Sequence, residues 1–469
     1  MKWRTIFASL KSRDMQKRLL IVLGLIIAYR FLAHIPVPIA EPTQLKEVID
    51  NVVSSSDFGG FLNLLSGGAL ASFSIVLVGL GPYITASIVM QLLTKVIPRM
   101  EELHKDGESG RRKINQWTRM VALPLAIVQS IAFIFILRQT VLAGNVAVLG
   151  ETTPIEWVVA VTAMTAGAML LMWLGELMTE QGVGNGISLL IFAGIISQLP
   201  QILATIGTSL FASEGARLSV FNWFTIPVNA TAFFVTVAIT LASVLILYML
   251  VKINEAQRVI NINYAKRVQG NSAYGGVKSL MPIKLITAGV VPVIFAVAFL
   301  ALPAFIGQLL VATGSEVHKE IGNNLILWFQ APQPGTFVGV ALADFIYPVS
   351  YFVLVVLFTY FYTGIVFNTT EIAENLQKQG GFIENIRPGV TTEKHLKTIV
   401  NRLTLFGSLA LGLIAILPFV AEYIFAQLGI SAANLAIGGT GLLIVVTVAI
   451  EALRQINSRA LMVTYDEYR

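Results

Sequence analysis

The sequence predicts an all-α integral membrane protein of ten transmembrane helices in two inverted five-helix halves, with one re-entrant half-helix. Three observations predict it. The chain is 55% hydrophobic and only 12% charged, whereas a soluble domain carries about 25% charge. Its apolar residues gather into ten segments suited to crossing a bilayer. Its basic residues fall almost wholly on one side of those segments.

Taken in order, the first apolar segment, Leu19–Ile35, follows a basic N-terminus. It lacks a small-residue cleavage site and runs into Pro36-Val37-Pro38, so it reads as a retained span. The next stretch, 58–94, is broken by Gly59, Gly60, Gly67, Gly68, Gly79 and Gly81, and then by Pro82. Its second part, Ile75–Thr94, is long enough to span. Its first part, Phe58–Phe73, is too short and is hinged around Ser72. That part reads either as a half-helix dipping into a cavity or as a short helix on the outer surface. Irregular backbone at membrane depth survives only where protein or water satisfies it. The later spans are expected near Met120–Leu137, Trp157–Leu177, Ile187–Ile206, Val228–Val251, Ile283–Ile306, Phe345–Phe367, Leu403–Val420 and Gly441–Leu453, the last beginning as early as Asn434.

With the N-terminus inside, that side takes all but five of the 32 Lys and Arg residues; Arg30, Lys46, Arg138, Arg217 and Lys319 remain outside. Both termini are therefore expected inside. Five spans per half is an odd number, so repeated halves, 1–206 and 207–469, must be inverted. An internal echo supports the repeat: Gly79-x-x-Pro82-x-Ile84 returns as Gly289-x-x-Pro292-x-Ile294. Likewise, Gly186-x-x-Leu189-Leu190-Ile191 returns as Gly439-x-x-Leu442-Leu443-Ile444. Inverted repeats place the functional path between the halves, beside Gly/Pro-interrupted helices.

The chemistry is defined by what is missing. Without cysteine there is no disulfide, thiolate metal site or cysteine nucleophile. No phosphate-binding Gly-x-x-x-x-Gly-Lys-Ser/Thr loop occurs, and no His-Glu-x-x-His. A Gly-x-Ser-x-Gly elbow is also missing. His34, His104, His318 and His395 fall near span ends or in loops. No enzyme activity and no cofactor are expected. Ion-coupled transporters place ionisable groups within their spans, whereas Arg30, Glu176 and Asp344 lie toward span ends, where snorkelling is the ordinary reading. A relay role for Glu176 is the alternative. A secondary transporter is thereby disfavoured. An insertase without a through-pore is a further reading, but it needs neither ring nor seal.

What remains to line a path is aliphatic. Leu80 and Ile84 share a helix face, as do Ile187 and Ile191, with Ile294 and Ile444 at the repeat-related positions. These are either core or lipid-facing residues, or a ring at a pore waist that dewets against ions. The inner loops 252–282 and 368–397 are large for a small-solute carrier. They serve either as topology determinants or as a basic docking surface for an acidic or RNA-rich partner. Pro388-Gly389 reads as a turn with Arg387 at its tip.

Several ordered segments, spread over nearly the whole chain, carry a resemblance. They are Gly79-Leu80-Gly81-Pro82-Tyr83-Ile84-Thr85-Ala86-Ser87-Ile88, Gly107-Glu108-Ser109-Gly110-Arg111-Arg112-Lys113 and Met172-Trp173-Leu174-Gly175-Glu176. Gly184-Asn185-Gly186-Ile187-Ser188, Asn263-Tyr264-Ala265-Lys266-Arg267, Ile386-Arg387-Pro388-Gly389 and Gly438-Gly439-Thr440 continue the series. In these the chain resembles the SecY family of bacterial protein-conducting channel subunits. The resemblance implies a clamshell gated between the second and seventh spans. It implies that 58–73 is a plug, with Phe58, Phe61, Leu64, Leu65, Gly67, Gly68 and Leu70 seated in the outer funnel. It puts the pore ring on Leu80, Ile84, Ile187, Ile191, Ile294 and Ile444. It puts the lateral gate on Thr85, Ser87, Gln91, Thr94, Gln129, Ile286 and Thr287.

The resemblance further implies that Arg258, Lys266, Arg267 and Arg387 dock the SecA motor and the ribosome. SecE and SecG would be membrane partners, and preproteins with signal sequences the cargo, passed across the bacterial plasma membrane or released into the lipid bilayer. Two positions depart from the family's pattern. Leu80 stands where relatives often carry Ile, which preserves an aliphatic seal. Ile286 stands where relatives commonly carry Asn, so the polar contact to Gln91, Thr94 or Gln129 falls to Thr287, or gating is set differently.

Overall fold

A computed structural model describes residues 13–37, 73–143, 154–211, 217–220, 224–264, 267–269, 272–274, 278–289, 291–312, 315–329, 342–427 and 439–467. The expected plug residues Phe58 to Leu70 lie outside these, as does Lys266. In chain order the helices are α1 (Arg13–Leu32), α2 (Gly81–Val96), α3 (Pro98–Lys105), α4 (Glu108–Ala143), α5 (Pro154–Glu180), α6 (Gly186–Ile196) and α7 (Leu199–Phe211). They continue with α8 (Ala230–Glu255), α9 (Val291–Ala312), α10 (Glu316–Phe329), α11 (Leu342–Val366), α12 (Thr369–Lys378), α13 (Val390–Gln427) and α14 (Gly439–Glu467). Each of the ten expected spans overlaps at least one of these helices. Six helices among the described residues are long and apolar enough to cross a membrane.

The boundaries differ from the sequence reading in instructive ways. The second span was expected as one helix over Ile75–Thr94, but turns occupy 75–80 and α2 begins at Gly81. The left-handed backbone of Gly79 (φ 62°) ends the turn, and Pro82 is tolerated because it lies in the first helical turn. The fifth span, expected over Ile187–Ile206, is two helices parted at Ser197-Gln198. Ser197 Oγ donates to the Gly194 carbonyl at 2.6 Å. Pro200 then permits a restart only near a helix N-terminus. The helix that follows, α7, runs on past residue 206.

The seventh span was expected from Ile283. That residue instead lies in a strand, and α9 starts at Val291. The sixth span likewise begins at Ala230 rather than Val228, which belongs to a short hairpin of β1 (Arg217–Val220) and β2 (Phe224–Asn229).

Strands inside the two inner loops were not foreseen. β3 (Gln257–Tyr264) pairs antiparallel with β6 (Lys278–Lys284) on one side and β7 (Gly381–Ile383) on the other. Loops 252–282 and 368–397 thus meet in one sheet. β4 (Arg267–Gln269) and β5 (Ser272–Tyr274) form a small hairpin beyond it. The sheet's inward face, Ile260, Ile283 and Ile383, packs on Leu396, Ile399 and Val400 of α13. That is why α13, with 38 residues, outruns its expected span of Leu403–Val420. At 1.5 Å per residue it is about 57 Å long, against about 30 Å of hydrocarbon.

Helices in lipid gain little from apolar burial and pack through small residues and close contact. Gly186 shows the principle: a Cβ there would lie 1.8 Å from the Gly175 carbonyl oxygen, so α5 and α6 cross backbone to backbone. The start of α6 is fixed by Asn185, whose Oδ1 accepts from Ile187 N at 3.1 Å and Ser188 N at 3.3 Å. Thr179 Oγ1 accepts from Gly186 N at 2.9 Å.

Candidate functional site

The six aliphatic residues singled out in the sequence lie in, or at the cap of, four helices. Leu80 is the N-cap of α2 and Ile84 its fourth residue. Ile187 and Ile191 lie in α6, Ile294 is the fourth residue of α9 and Ile444 the sixth of α14. Leu80, Ile84, Ile191, Ile294 and Ile444 are buried in one contiguous apolar cluster, and Ile187 packs against it. Around that cluster α2 packs on α4 and α9, and α6 packs on α14. Each of the four helices thus contributes to one apolar cluster.

The segments leading into α2 and α9 share a backbone device. Gly79 and Gly289 both take left-handed backbone, with φ 62° and 65°, and each helix begins two residues later. Four residues before each glycine stand Ile75 and Leu285. Ile75 N–H donates to the Ile35 carbonyl, just past α1, at 3.0 Å. Leu285 N–H donates to the Ala256 carbonyl, just past α8, at 2.9 Å. The carbonyl of Ile75 then presses on Gly167 of α5, where a Cβ would lie 2.1 Å away. The carbonyl of Leu285 presses on Gly407 of α13, where a Cβ would lie 2.4 Å away. Spans one and six, two and seven, and four and nine thus repeat one arrangement.

The residues expected at the gate turn mostly inward on their own helices. Thr85 Oγ1 donates to the Gly81 carbonyl at 3.0 Å, and Thr94 Oγ1 to the Gln91 carbonyl at 2.7 Å. Gln91 Nε2 donates to Ser87 Oγ at 3.0 Å, while its Oε1 is buried with no hydrogen-bond partner. Gln129 of α4 leans over the first turn of α2, its Oε1 3.4 Å from where a Cβ on Gly81 would be. Ile286 is buried in the apolar cluster. Thr287 Oγ1 donates to the Lys284 carbonyl at 3.2 Å, within its own segment, so the contact expected from Thr287 to α2 is absent among the described hydrogen bonds.

On the inner side Arg258 sits in β3 opposite Ile283 and is exposed. Arg387 is exposed in the turn after β7, where Gly389 has φ 98° and Thr392 Oγ1 caps the Arg387 carbonyl at 2.8 Å. Arg267 lies in β4. Glu176 does not stand alone: Arg119 Nε lies 2.8 Å from its Oε1, tying α4 to α5.

The sequence reading missed a polar group at the inner end of α14. Arg454 Nη2 donates to the Asn254 carbonyl at 2.6 Å, and Nη1 to Asn254 Oδ1 at 3.4 Å. Together with Lys284, Gly289 and Glu451 these residues line a cavity of about 390 Å³. Lys284, at the solvent rim in β6, has its pKa lowered by partial burial and by the charge of Arg454, against an opposing pull from Glu451. The signal was legible: Glu451 is the one acid inside the last apolar segment, three residues before an arginine.

A family model described as SecY matches residues 74–453. The SecY protein translocase subunit of Corynebacterium glutamicum is 39% identical over 466 residues, covering 98% of each chain. That of Streptomyces coelicolor is 38% identical over 472 residues, covering 99% of each. Among solved structures, a SecY whose plug domain stabilises the closed state of a translocation channel aligns with TM-score 0.61 at 20% identity, over 94% of this chain and 91% of that one. Sec61 in a canine ribosome–channel complex aligns with TM-score 0.53 at 19% identity, over the same shares.

Proposed function

The chain belongs to the SecY family, and from that premise we propose that it is the central subunit of a protein-conducting channel. It passes unfolded polypeptides across the membrane and releases apolar segments sideways into the bilayer. The observation that carries this reading is the convergence of five aliphatic ring positions, from four separate helices and the end of a turn, in one buried cluster. Such a cluster excludes ions by dewetting and yields sideways around a chain of variable width. Leu80, Ile84, Ile187, Ile191, Ile294 and Ile444 form the ring, and α2 and α9 are the gate helices. Residues 58–73 act as the plug, and the halves 1–206 and 207–469 part as two bodies.

The multi-pass chain sits in the bacterial plasma membrane with both termini cytoplasmic, as its Lys/Arg bias supports. SecE and SecG accompany it in the membrane. Preproteins with signal sequences are its cargo. SecA or a ribosome supplies the drive by docking on the cytoplasmic sheet near Arg258, Lys266, Arg267 and Arg387. The Sec61 neighbour is a ribosome-bound channel, which supports the ribosome as partner.

The cysteine-free sequence makes the test direct. A single Cys at Ile84 or Ile191 is expected to crosslink to a preprotein stalled in the channel. A Cys at Val158, a 67% exposed residue of α5, is expected not to. Equal crosslinking at both kinds of site overturns the pore assignment.

A further inference from the structure

The inner attachment of α9 is charged. A Cβ placed on Gly289 would lie 3.5 Å from Glu451 Oε2, so the carboxylate of α14 rests against the turn that opens α9. A negative group is favourable there, beside the positive end of the helix dipole. One turn further along α14, Arg454 grips Asn254, which is buried in the last turn of α8. Lys284 closes the same cavity from β6. Between Lys284 and α9 lie only residues 285–290, and these are held at Leu285 by Ala256 and Gly407. The inner end of α9 is therefore set by α14 and α8 together, and it is continuous with the cytoplasmic sheet through β6.

We propose that Glu451 and Arg454 are positioning residues that hold the inner end of α9 in its resting place against α2. They touch neither cargo nor ring. Glu451 bears on the Gly289 turn, and Arg454 fixes the helix that carries Glu451 to the end of α8. Loss of either frees the turn to follow the sheet. This rests on the reading of α2 and α9 as the gate.

The test uses spin labels on Cys introduced at Val89 of α2 and Phe299 of α9, both exposed, in the complex with its membrane partners in proteoliposomes. Electron spin resonance then measures their separation, empty and with a stalled preprotein. In the unaltered chain the separation is expected to lengthen on stalling. In Glu451→Gln the empty channel is expected already to populate the longer distance. Export of a preprotein with a defective signal sequence is expected to rise about tenfold, a coupling of ordinary size for two linked sites. Glu451→Asp, which keeps the charge, is expected to fall between the two. Arg454→Met is read in the same way and serves where the Glu451 variants do not accumulate. Resting distances and signal discrimination unchanged in these variants overturn the inference while leaving the gate intact. No lengthening in the unaltered chain overturns the gate reading itself, and the inference with it.

Discussion

Ahead of Gly79 the chain is dry: Phe73, Val76, Leu77 and Val78 are buried between α4 and α5 and beside α1. Ahead of Gly289 it is charged, with Lys284, Glu451 and Arg454 around a cavity of about 390 Å³. Three backbone features nevertheless recur in both places: the left-handed glycine, the amide hydrogen bond to the residues just past the preceding span, and the carbonyl pressed on a glycine. The repeat is therefore carried by main chain and glycines, which tolerate little change at contact distance. The division of labour is carried by side chains. An apolar anchor has nothing to exchange with water and stays put, whereas a polar one can trade its bonds with solvent as it moves. On this view α2 is the held side of the gate and α9 the moving side.

The largest expected effect comes from breaking what the two sides share. Gly167→Leu and Gly407→Leu each drive a side chain into a backbone carbonyl, and overpacking of this kind costs about 3 kcal/mol. Both variants are expected to lower the thermal midpoint of the detergent-purified complex by similar amounts. A fall in one alone would show that the two anchors are not equivalent. A smaller effect separates the sides. Gln91→Leu removes a buried acceptor that has no partner, at the cost of one bond to Ser87, and is expected to stabilise the resting channel by about 1 kcal/mol. Thermal denaturation and the resting ion leak both read this, and a destabilised variant would place a donor opposite Gln91. The smallest effect is at Arg119, whose side chain is 47% exposed in its pair with Glu176. Arg119→Met is expected to cost less than about 1 kcal/mol and to leave preprotein export unchanged. A large loss of export would return Glu176 to consideration as a working carboxylate.

Much of the site was legible in the residues. The echo of Gly79-x-x-Pro82 in Gly289-x-x-Pro292 was visible because φ and helix-start requirements act on residue type alone. Leu80, Ile84 and Ile294 could be singled out because they lie beside those starts. The inner sheet was not, since β3 and β7 are more than a hundred residues apart and their pairing leaves no local pattern. Thr287 could not be assigned either, because a threonine satisfies itself equally well on its own backbone.

By itself the sequence determined that the chain is a multi-pass membrane protein and where its apolar segments fall, and its Lys/Arg bias predicts which way it faces. Composition, Lys/Arg bias and Gly/Pro placement are one-dimensional quantities. Only the tertiary structure decided that two inner loops are one sheet, that Glu176 is paired with Arg119, and that Glu451 rests against Gly289. Each depends on which distant backbones approach within a few ångströms. A linear pattern does not record which glycine meets which carbonyl.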